Sequence, residues 1–166
     1  KQDMKCLILA AGYATRLYPL TEDTPKPLLE VAGKSILERL LDKISVIDKI
    51  DHVYVVTNSR FAEQFQNWVG NYQYSKPLTV IDDGTTSNEN RLGAIGDIQF
   101  VIEQTGISDD LMILAGDNLF DFDLLDFEEF FQEKSADVIT AYEISDIELQ
   151  RRVGIVELDS SARVLS

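Results

Sequence analysis

The fold is decided by Met4-Lys5-Cys6-Leu7-Ile8-Leu9-Ala10 and by the long loop that follows, from Ala11 to about Pro27. An almost continuous apolar run of this length is typical of a strand buried on both faces of a parallel sheet. One glycine and three prolines prevent regular structure in the loop. We therefore expect a buried first strand that ends in a long irregular loop.

Outward from this strand, strand-like and helix-like patterns alternate along the chain. Further strands are predicted at 52–57, 78–81, 111–115 and 137–142, with a closing pair at 154–158 and 163–165. Helices are predicted at 35–47, after a cap at Ser59, at 92–104 and at 124–134. This alternation predicts an α/β fold with three α/β/α layers around a Rossmann-like, mostly parallel sheet. We expect one nucleotide-binding core over residues 1–166, with a sheet that is incomplete at its C-terminal side.

Composition and charge exclude several classes of protein. The chain has 166 residues, 45% of them hydrophobic, which is enough for one core. Its net charge of −14 disfavours binding to a nucleic-acid backbone. No apolar run is long enough to span a membrane, and a single cysteine fits a reducing compartment. We therefore expect a cytoplasmic protein without nucleic-acid or membrane partners; an oligomer remains open.

The bases and acids are unevenly distributed. Residues 1–60 hold nine bases and eight acids, whereas residues 101–134 hold ten acids and one lysine. A small anionic ligand should therefore bind the N-terminal segment. The acidic stretch is typical of solvated surface, with one carboxylate left for a cation.

The first loop carries the residues that suit an anion. Small residues at 10–12 allow the backbone to approach a flat or anionic group, and exposed amides in such a turn favour phosphate oxygens. Thr15 adds a hydroxyl, Arg16 a rigid fork of donors, and Lys26 a compact charge between two prolines. Across the predicted sheet, Gly116-Asp117 follows the strand at 111–115.

The familiar phosphate motifs do not fit. The dinucleotide pattern G-x-G-x-x-G is missing after the first strand, and Gly33-Lys34-Ser35 lacks the first glycine of a Walker A loop. Asp82-Asp83 suggests a receiver-like signalling domain, but such domains place an acidic pair after the first strand, where this chain has Ala10-Ala11.

A family resemblance is carried by Leu9-Ala10-Ala11-Gly12-x-x-Thr15-Arg16-Leu17-x-Pro19-Leu20, followed by Pro25-Lys26-Pro27-Leu28-Leu29 and Gly33-Lys34. Leu92-Gly93-Ala94-Ile95-Gly96 and Leu114-Ala115-Gly116-Asp117 continue it in the right order. Together these segments resemble the sugar-1-phosphate nucleotidylyltransferases and their phosphocholine cytidylyltransferase relatives. The resemblance implies an enzyme that joins a nucleoside triphosphate to a phosphomonoester, most simply a sugar-1-phosphate, and releases pyrophosphate.

The resemblance also implies roles for individual residues. Leu9, Ala11 and Gly12 would lie near base and sugar through their backbone, and Thr15 and Arg16 near the phosphates. Gly93 would lie near the base. Gly154 would lie near the acceptor. Lys26 would contact the phosphates around the reacting centre, and Asp117 would hold Mg²⁺. Arg16, Lys26 and Asp117 are thus the expected catalytic residues.

Three departures keep alternatives open. Val153 stands where the family usually has Tyr, Ala94 replaces a common Thr, and Ser87-Asn88-Glu89-Asn90-Arg91 leans towards the cytidylyltransferase side. The sequence stops before the family's acceptor lysine and second metal carboxylate, so we expect a fragment of a longer catalytic domain. The alternatives are a cytidylyltransferase acting on phosphocholine or a similar phosphomonoester, and a truncated nucleotide-binding module without turnover.

Other conspicuous residues are expected to be structural. His52 and Cys6 lie in predicted strands, and Asp121 and Asp123 are typical of turns and helix caps. Phe61, Phe65 and Trp68 recur at helical spacing and predict a core face.

Overall fold

The computed structural model describes residues 3–165, and its centre is a four-stranded parallel sheet. The strands are β1 (Met4–Leu9), β4 (Ile50–Thr57), β5 (Leu78–Asp82) and β6 (Asp110–Ala115), in the order β5-β4-β1-β6. A separate two-stranded antiparallel ribbon pairs β2 (Glu30–Val31) with β3 (Lys34–Ser35). The mostly parallel sheet with flanking helices confirms the predicted fold class.

Both faces of the sheet are buried, as the apolar run in β1 predicts. On one face, Leu7 and Val56 pack with Val101 of α3 (Gly93–Thr105). On the other, Cys6, Ile8 and Val55 are buried. The pKa of the Cys6 thiol is raised by burial, which agrees with an inert packing role.

The helix α1 (Ile36–Ser45) begins and packs as its sequence predicts. The Ser35 side chain accepts a hydrogen bond from the backbone nitrogen of Glu38 at 3.1 Å. The predicted apolar face is fully buried and consists of Ile36, Leu37, Leu40, Leu41 and Ile44.

The helix α2 (Ala62–Asn71) forms where predicted, but the expected cap was wrong. The Ser59 hydroxyl donates instead to Asp82 at 2.8 Å. The Asn58 side chain accepts from the Phe61 nitrogen at 3.2 Å and so takes over at the start of the helix. Asn58 is completely buried, and its side chain bonds to backbone groups of both an earlier and a later segment of the chain, at Ala11 and at Phe61.

The chain forms two compact units, residues 3–128 and 129–165 among those described, and α4 (Leu124–Lys134) runs across the boundary. In the second unit the predicted strand at 137–142 was wrong, because these residues have no regular structure. The predicted closing pair reduces to a single antiparallel bridge between Leu158 and Val164. The second unit also contains a short helix, α5 (Ile147–Gln150). No helix in residues 3–165 has the length and apolar character to cross a bilayer.

Candidate functional site

The two chemically distinctive strand ends lie side by side. In the parallel pairing of β1 with β6, Leu9 stands opposite Ala115. The Gly116 nitrogen donates to the Leu9 carbonyl at 2.8 Å. A Cβ on Gly116 would come within 2.7 Å of that oxygen, so only glycine allows this close approach. The segments that begin at Ala10 and at Gly116 therefore leave the sheet together.

On its other side, the start of the first loop is held by β4. The Ala10 nitrogen donates to the Val56 carbonyl at 2.8 Å, and the Asn58 amide donates to the Ala11 carbonyl at 2.9 Å. Ala10 and Ala11 are buried, whereas Gly12 is exposed. The loop backbone is thus fixed up to Ala11 and reaches solvent at Gly12, where an anion could approach it.

After Gly12 the loop turns sharply. Ala14 has a φ of 47°, and its carbonyl accepts a hydrogen bond from the buried Thr21 hydroxyl at 2.8 Å. A 3₁₀ turn then runs over Thr15–Leu17. Thr15 and Arg16 are both exposed on it, and no described residue pairs with the Arg16 guanidinium. Arg16 is therefore available to a ligand.

Lys26 and Asp117, which are 91 positions apart, meet at the carboxyl edge of the sheet. The Lys26 ammonium lies 3.4 Å from a carboxylate oxygen of Asp117. The Lys26 backbone is fixed because Pro25 and Pro27 on either side are buried. Both side chains keep solvent access, at 29% for Lys26 and 52% for Asp117. A cation and an anion are thus held side by side and open to a ligand.

Gly93 begins α3 on the same edge of the sheet, after β5. Its φ of +76° lies in the left-handed region that glycine adopts without strain. The preceding loop is self-supporting: the Asn90 side-chain oxygen accepts from the backbone nitrogens of Thr86 and Ser87 at 3.1 and 3.0 Å. Asn90 therefore stabilises its own loop.

Gly154 lies in the second unit, on a stretch without regular structure, and a Cβ there would meet no atom within 4 Å. Its role stays a prediction.

The structural roles expected elsewhere agree with the contacts. His52 bonds Thr79 at 2.8 Å and stacks on Tyr54, and Asp123 accepts from the Leu125 nitrogen at 2.9 Å at the start of α4. Phe61 and Phe65 are buried as expected, whereas Trp68 is half-buried and stacks on Tyr72.

The sequence analysis missed a group of buried polar residues beside these loops. Asp83, Thr85 and Asp97 are between 5% and 7% exposed. The sequence pattern suggests a phospho-acceptor role for Asp83 and no role for Asp97. The helical spacing of α3 could have indicated that Asp97 is buried, because Asp97 occupies a position on the inward face of the helix where an apolar residue is expected.

The donor set fits Mg²⁺ in part. Among the described residues no group of three or more His, Cys, Asp or Glu side chains could hold a metal. Mg²⁺ commonly uses one or two carboxylates and completes its shell with water and substrate phosphates. Asp117 suits such a site, provided that a nucleotide supplies further oxygens.

Comparison with known proteins identifies the family. A model of the nucleotidyl transferase family, NTP_transferase, matches residues 5–166, and the chain belongs to this family. It is 28% identical over 163 residues to the bifunctional protein GlmU of Methanococcus vannielii, covering 98% of this chain and 34% of that protein. It is 29% identical over 173 residues to the UTP–glucose-1-phosphate uridylyltransferase of a Synechocystis species, covering 98% of this chain and 43% of that protein.

One solved structure is also similar to this chain in both fold and sequence. The CTP:phosphocholine cytidylyltransferase of Streptococcus pneumoniae superimposes with a TM-score of 0.54 and 27% identity, over 73% of this chain and 49% of that one. The chain spans between about a third and two fifths of the two curated relatives' length.

Proposed function

We propose that this chain is the nucleotide-binding part of a nucleotidyltransferase that joins a nucleoside triphosphate to a sugar-1-phosphate and releases pyrophosphate. Leu9, Ala11, Gly12, Thr15 and Gly93 would bind the nucleotide. Arg16, Lys26 and Asp117 would act on its phosphates. Gly154 would line the acceptor side, and the reaction would take place in the cytoplasm.

The observation that carries the proposal is the meeting of Lys26 with Asp117 at 3.4 Å beside the Leu9–Gly12 backbone. A solvent-accessible ammonium next to a carboxylate at the carboxyl ends of parallel strands suits a phosphate and a divalent cation together. A purely structural ion pair would not need the two buried prolines that fix the lysine backbone. Family membership supports the same chemistry.

The reaction asks the protein to position two anions that repel each other. A phosphate oxygen of the acceptor attacks the α-phosphorus of the triphosphate. The bond from the α-phosphorus to the bridging oxygen breaks, and its electron pair leaves with pyrophosphate. Because the nucleophile is already an anion, no side chain must remove a proton. Lys26 would neutralise charge at the reacting phosphates, and Arg16 would hold the departing pyrophosphate.

Mg²⁺ fits Asp117 as one of its oxygen ligands, and it would neutralise phosphate charge and withdraw electron density from the reacting phosphate. In the free protein Lys26 neutralises the same carboxylate. We therefore expect Asp117 to bind the cation together with a nucleotide rather than before it. Lys26 would contact the phosphates of that nucleotide.

A second candidate is a cytidylyltransferase that acts on phosphocholine. The streptococcal cytidylyltransferase supports it, at 27% identity. The Asn-rich loop gives it less support than the sequence suggests, because Asn90 is bonded within that loop. We therefore keep the sugar-1-phosphate reaction as the first candidate.

The test measures pyrophosphate release by the protein at its natural length, with Mg²⁺. UTP, dTTP, CTP and GTP are each paired with glucose-1-phosphate, mannose-1-phosphate and phosphocholine. We expect turnover with at least one sugar-1-phosphate and its loss in Arg16→Ala. Lys34→Ala serves as the control, because Lys34 is also paired with a carboxylate, Asp42 at 2.7 Å, but outside the site.

The outcomes separate the candidates. Turnover with phosphocholine alone would favour the second candidate. Nucleotide binding without turnover in any pairing would leave a binding module, and no binding of any triphosphate would overturn the proposal.

A further inference from the structure

Two buried carboxyl groups meet behind the proposed nucleotide loops. Asp83 directly follows β5 and is 7% exposed, and Asp97 lies on α3 four residues after Gly93 and is 5% exposed. Neither is part of the chemistry described above. Both are nonetheless aimed into the protein, where a charge without a partner is costly.

Each of the two carboxyl groups has one buried oxygen that accepts no hydrogen bond from the described residues. One oxygen of Asp83 accepts from the backbone nitrogen and the hydroxyl of Thr85, at 2.7 and 2.6 Å. The other oxygen of Asp83 and one oxygen of Asp97 are buried, and no described residue donates to either. The two carboxyl groups are within hydrogen-bonding reach of each other. A single proton between them would satisfy both oxygens, whereas two charged carboxylates would repel.

The surroundings favour such a proton. Burial raises the pKa of Asp97 to about 7, and the hydrogen bond and charge of Asp83 act in the same direction. The other groups that face this cluster are Tyr13, whose pKa is raised mainly by burial, and Arg60 and Asp82 around its hydroxyl. No described cation pairs with Asp83 or Asp97.

The pair is joined to the first loop and to β4. The buried Tyr13 hydroxyl, one residue after Gly12, faces Thr85, although without a hydrogen bond of ordinary geometry. The Thr85 carbonyl accepts from the Ser59 nitrogen, and the Asp83 nitrogen donates to the Thr57 carbonyl, both at 2.8 Å. One buried polar cluster therefore connects the first loop, the ends of two strands and α3.

We propose that Asp83 and Asp97 share one proton, which holds the start of α3 against the loop after β5 and so positions Gly93 for the nucleotide. The positioning half rests on the proposed function, whereas the shared proton does not. Asp83 and Asp97 are positioning residues, since they act through the loops that carry Gly12 and Gly93. Nucleotide affinity is then coupled to protonation of this pair.

The sign of the pH effect follows from the direction of the shift. The folded protein holds this proton up to about pH 7, whereas the unfolded chain releases it near the ordinary value of 3.8. Its stabilisation is therefore complete below about pH 3.8, is lost progressively as the pH rises from there, and is gone above about pH 7.

The first experiment follows urea unfolding from pH 5 to 8 for the full chain. Asp97→Asn offers Asp83 a permanent N–H donor that does not titrate, and Glu103→Gln removes one exposed charge from the same helix as the control. We expect the urea midpoint of the wild type to fall relative to that of Asp97→Asn as the pH rises, and Glu103→Gln to follow the wild type. Parallel curves for the wild type and Asp97→Asn would overturn the shared proton.

Two further readouts keep this test decisive. If Asp97→Asn does not fold, carbon-13 NMR of the wild-type aspartates replaces it, and we expect a carboxyl resonance that titrates near neutral pH. Only ordinary acidic titrations would contradict the proposal. Stabilisation by Mg²⁺ without nucleotide, present in the wild type and missing in Asp97→Asn, would mean that a cation occupies the pair, and it would also overturn the proposal.

The second experiment measures affinity for UTP, dTTP, CTP and GTP with Mg²⁺ by calorimetry over the same pH range. Because the terminal phosphate of the nucleotide titrates in this range too, the quantity compared is the ratio of wild-type to Asp97→Asn affinity. We expect this ratio to fall as the pH rises. A constant ratio would overturn the positioning role. If no variant binds any of these nucleotides, the proposed function fails, while the unfolding curves still decide the shared proton.

Discussion

Two pairs of ionisable side chains at the same edge of the sheet lie in opposite surroundings. Lys26 and Asp117 carry opposite charges, lie 3.4 Å apart and are 29% and 52% exposed. Asp83 and Asp97 are both carboxyl groups and are only 7% and 5% exposed. Water can compensate the first pair when its partners separate, but it cannot reach the second. The exposed pair is therefore suited to exchange its partner for a ligand, and the buried pair is suited to hold its surroundings in place.

The largest effect that would test this contrast is the loss of activity in Lys26→Ala. Removing the ammonium should cost about 3–4 kcal/mol of transition-state stabilisation, which corresponds to roughly a 10²–10³-fold fall in kcat. The free energy of unfolding should change little, because exposed ion pairs contribute about 0–1 kcal/mol. Steady-state kinetics and urea unfolding check the two halves. A large loss of stability would show that this pair is structural, and Lys34→Ala is the matched control.

The buried side of the comparison is tested next by Thr85→Val. The substitution keeps the shape of the side chain but removes the hydroxyl that donates to Asp83 at 2.6 Å. A hydrogen bond to a charged group contributes about 1.5–3 kcal/mol, so we expect destabilisation of that order in urea unfolding. Thr79→Val, whose hydroxyl meets His52 on an exposed strand position, should cost less. Equal losses in the two variants would argue against a special role for the buried cluster.

A third test addresses the backbone beneath the exposed pair. In Gly116→Ala the new Cβ would lie 2.7 Å from the Leu9 carbonyl oxygen, so β1 and β6 must separate at their carboxyl ends. We expect a loss of about 1–3 kcal/mol, the usual cost of forcing extra atoms into a packed site. Gly70→Ala on α2 is the control, since its Cβ meets nothing within 4 Å. There alanine should stabilise the helix by about 0.5–1 kcal/mol.

The smallest expected effect is the change that Asp117→Asn causes in the free energy of unfolding. With Lys26 half-solvated, the loss of its partner should change the free energy of unfolding by about 0–1 kcal/mol. The same variant should lose the Mg²⁺ dependence of nucleotide affinity, which calorimetry with and without Mg²⁺ would measure. Retention of that dependence would remove Asp117 from the cation site.

The sequence predicted the sheet and the first loop well for a physical reason. Burial on both faces requires a continuous apolar run, and the runs at β1, β4 and β6 are long enough to be unambiguous. The N-cap of α1 at Ser35 could also be predicted, because its hydrogen bond with the Glu38 nitrogen joins residues only three positions apart. In the second unit the patterns at 137–142 and 154–158 are also apolar, but most of these residues are exposed, so burial does not hold them in strands. The predicted pair at 154–158 and 163–165 forms a single bridge, between Leu158 and Val164.

What the sequence determined by itself was the set of parts: a buried strand, a glycine and proline loop that carries Arg16 and Lys26, and a Gly-Asp pair after a later strand. Only the tertiary structure decided which distant parts meet. The 3.4 Å approach of Lys26 to Asp117 depends on β6 pairing beside β1, and the contact of Asp83 with Asp97 depends on how α3 returns to the sheet. Strand order and helix packing are set by the burial of the whole core, which no local pattern contains.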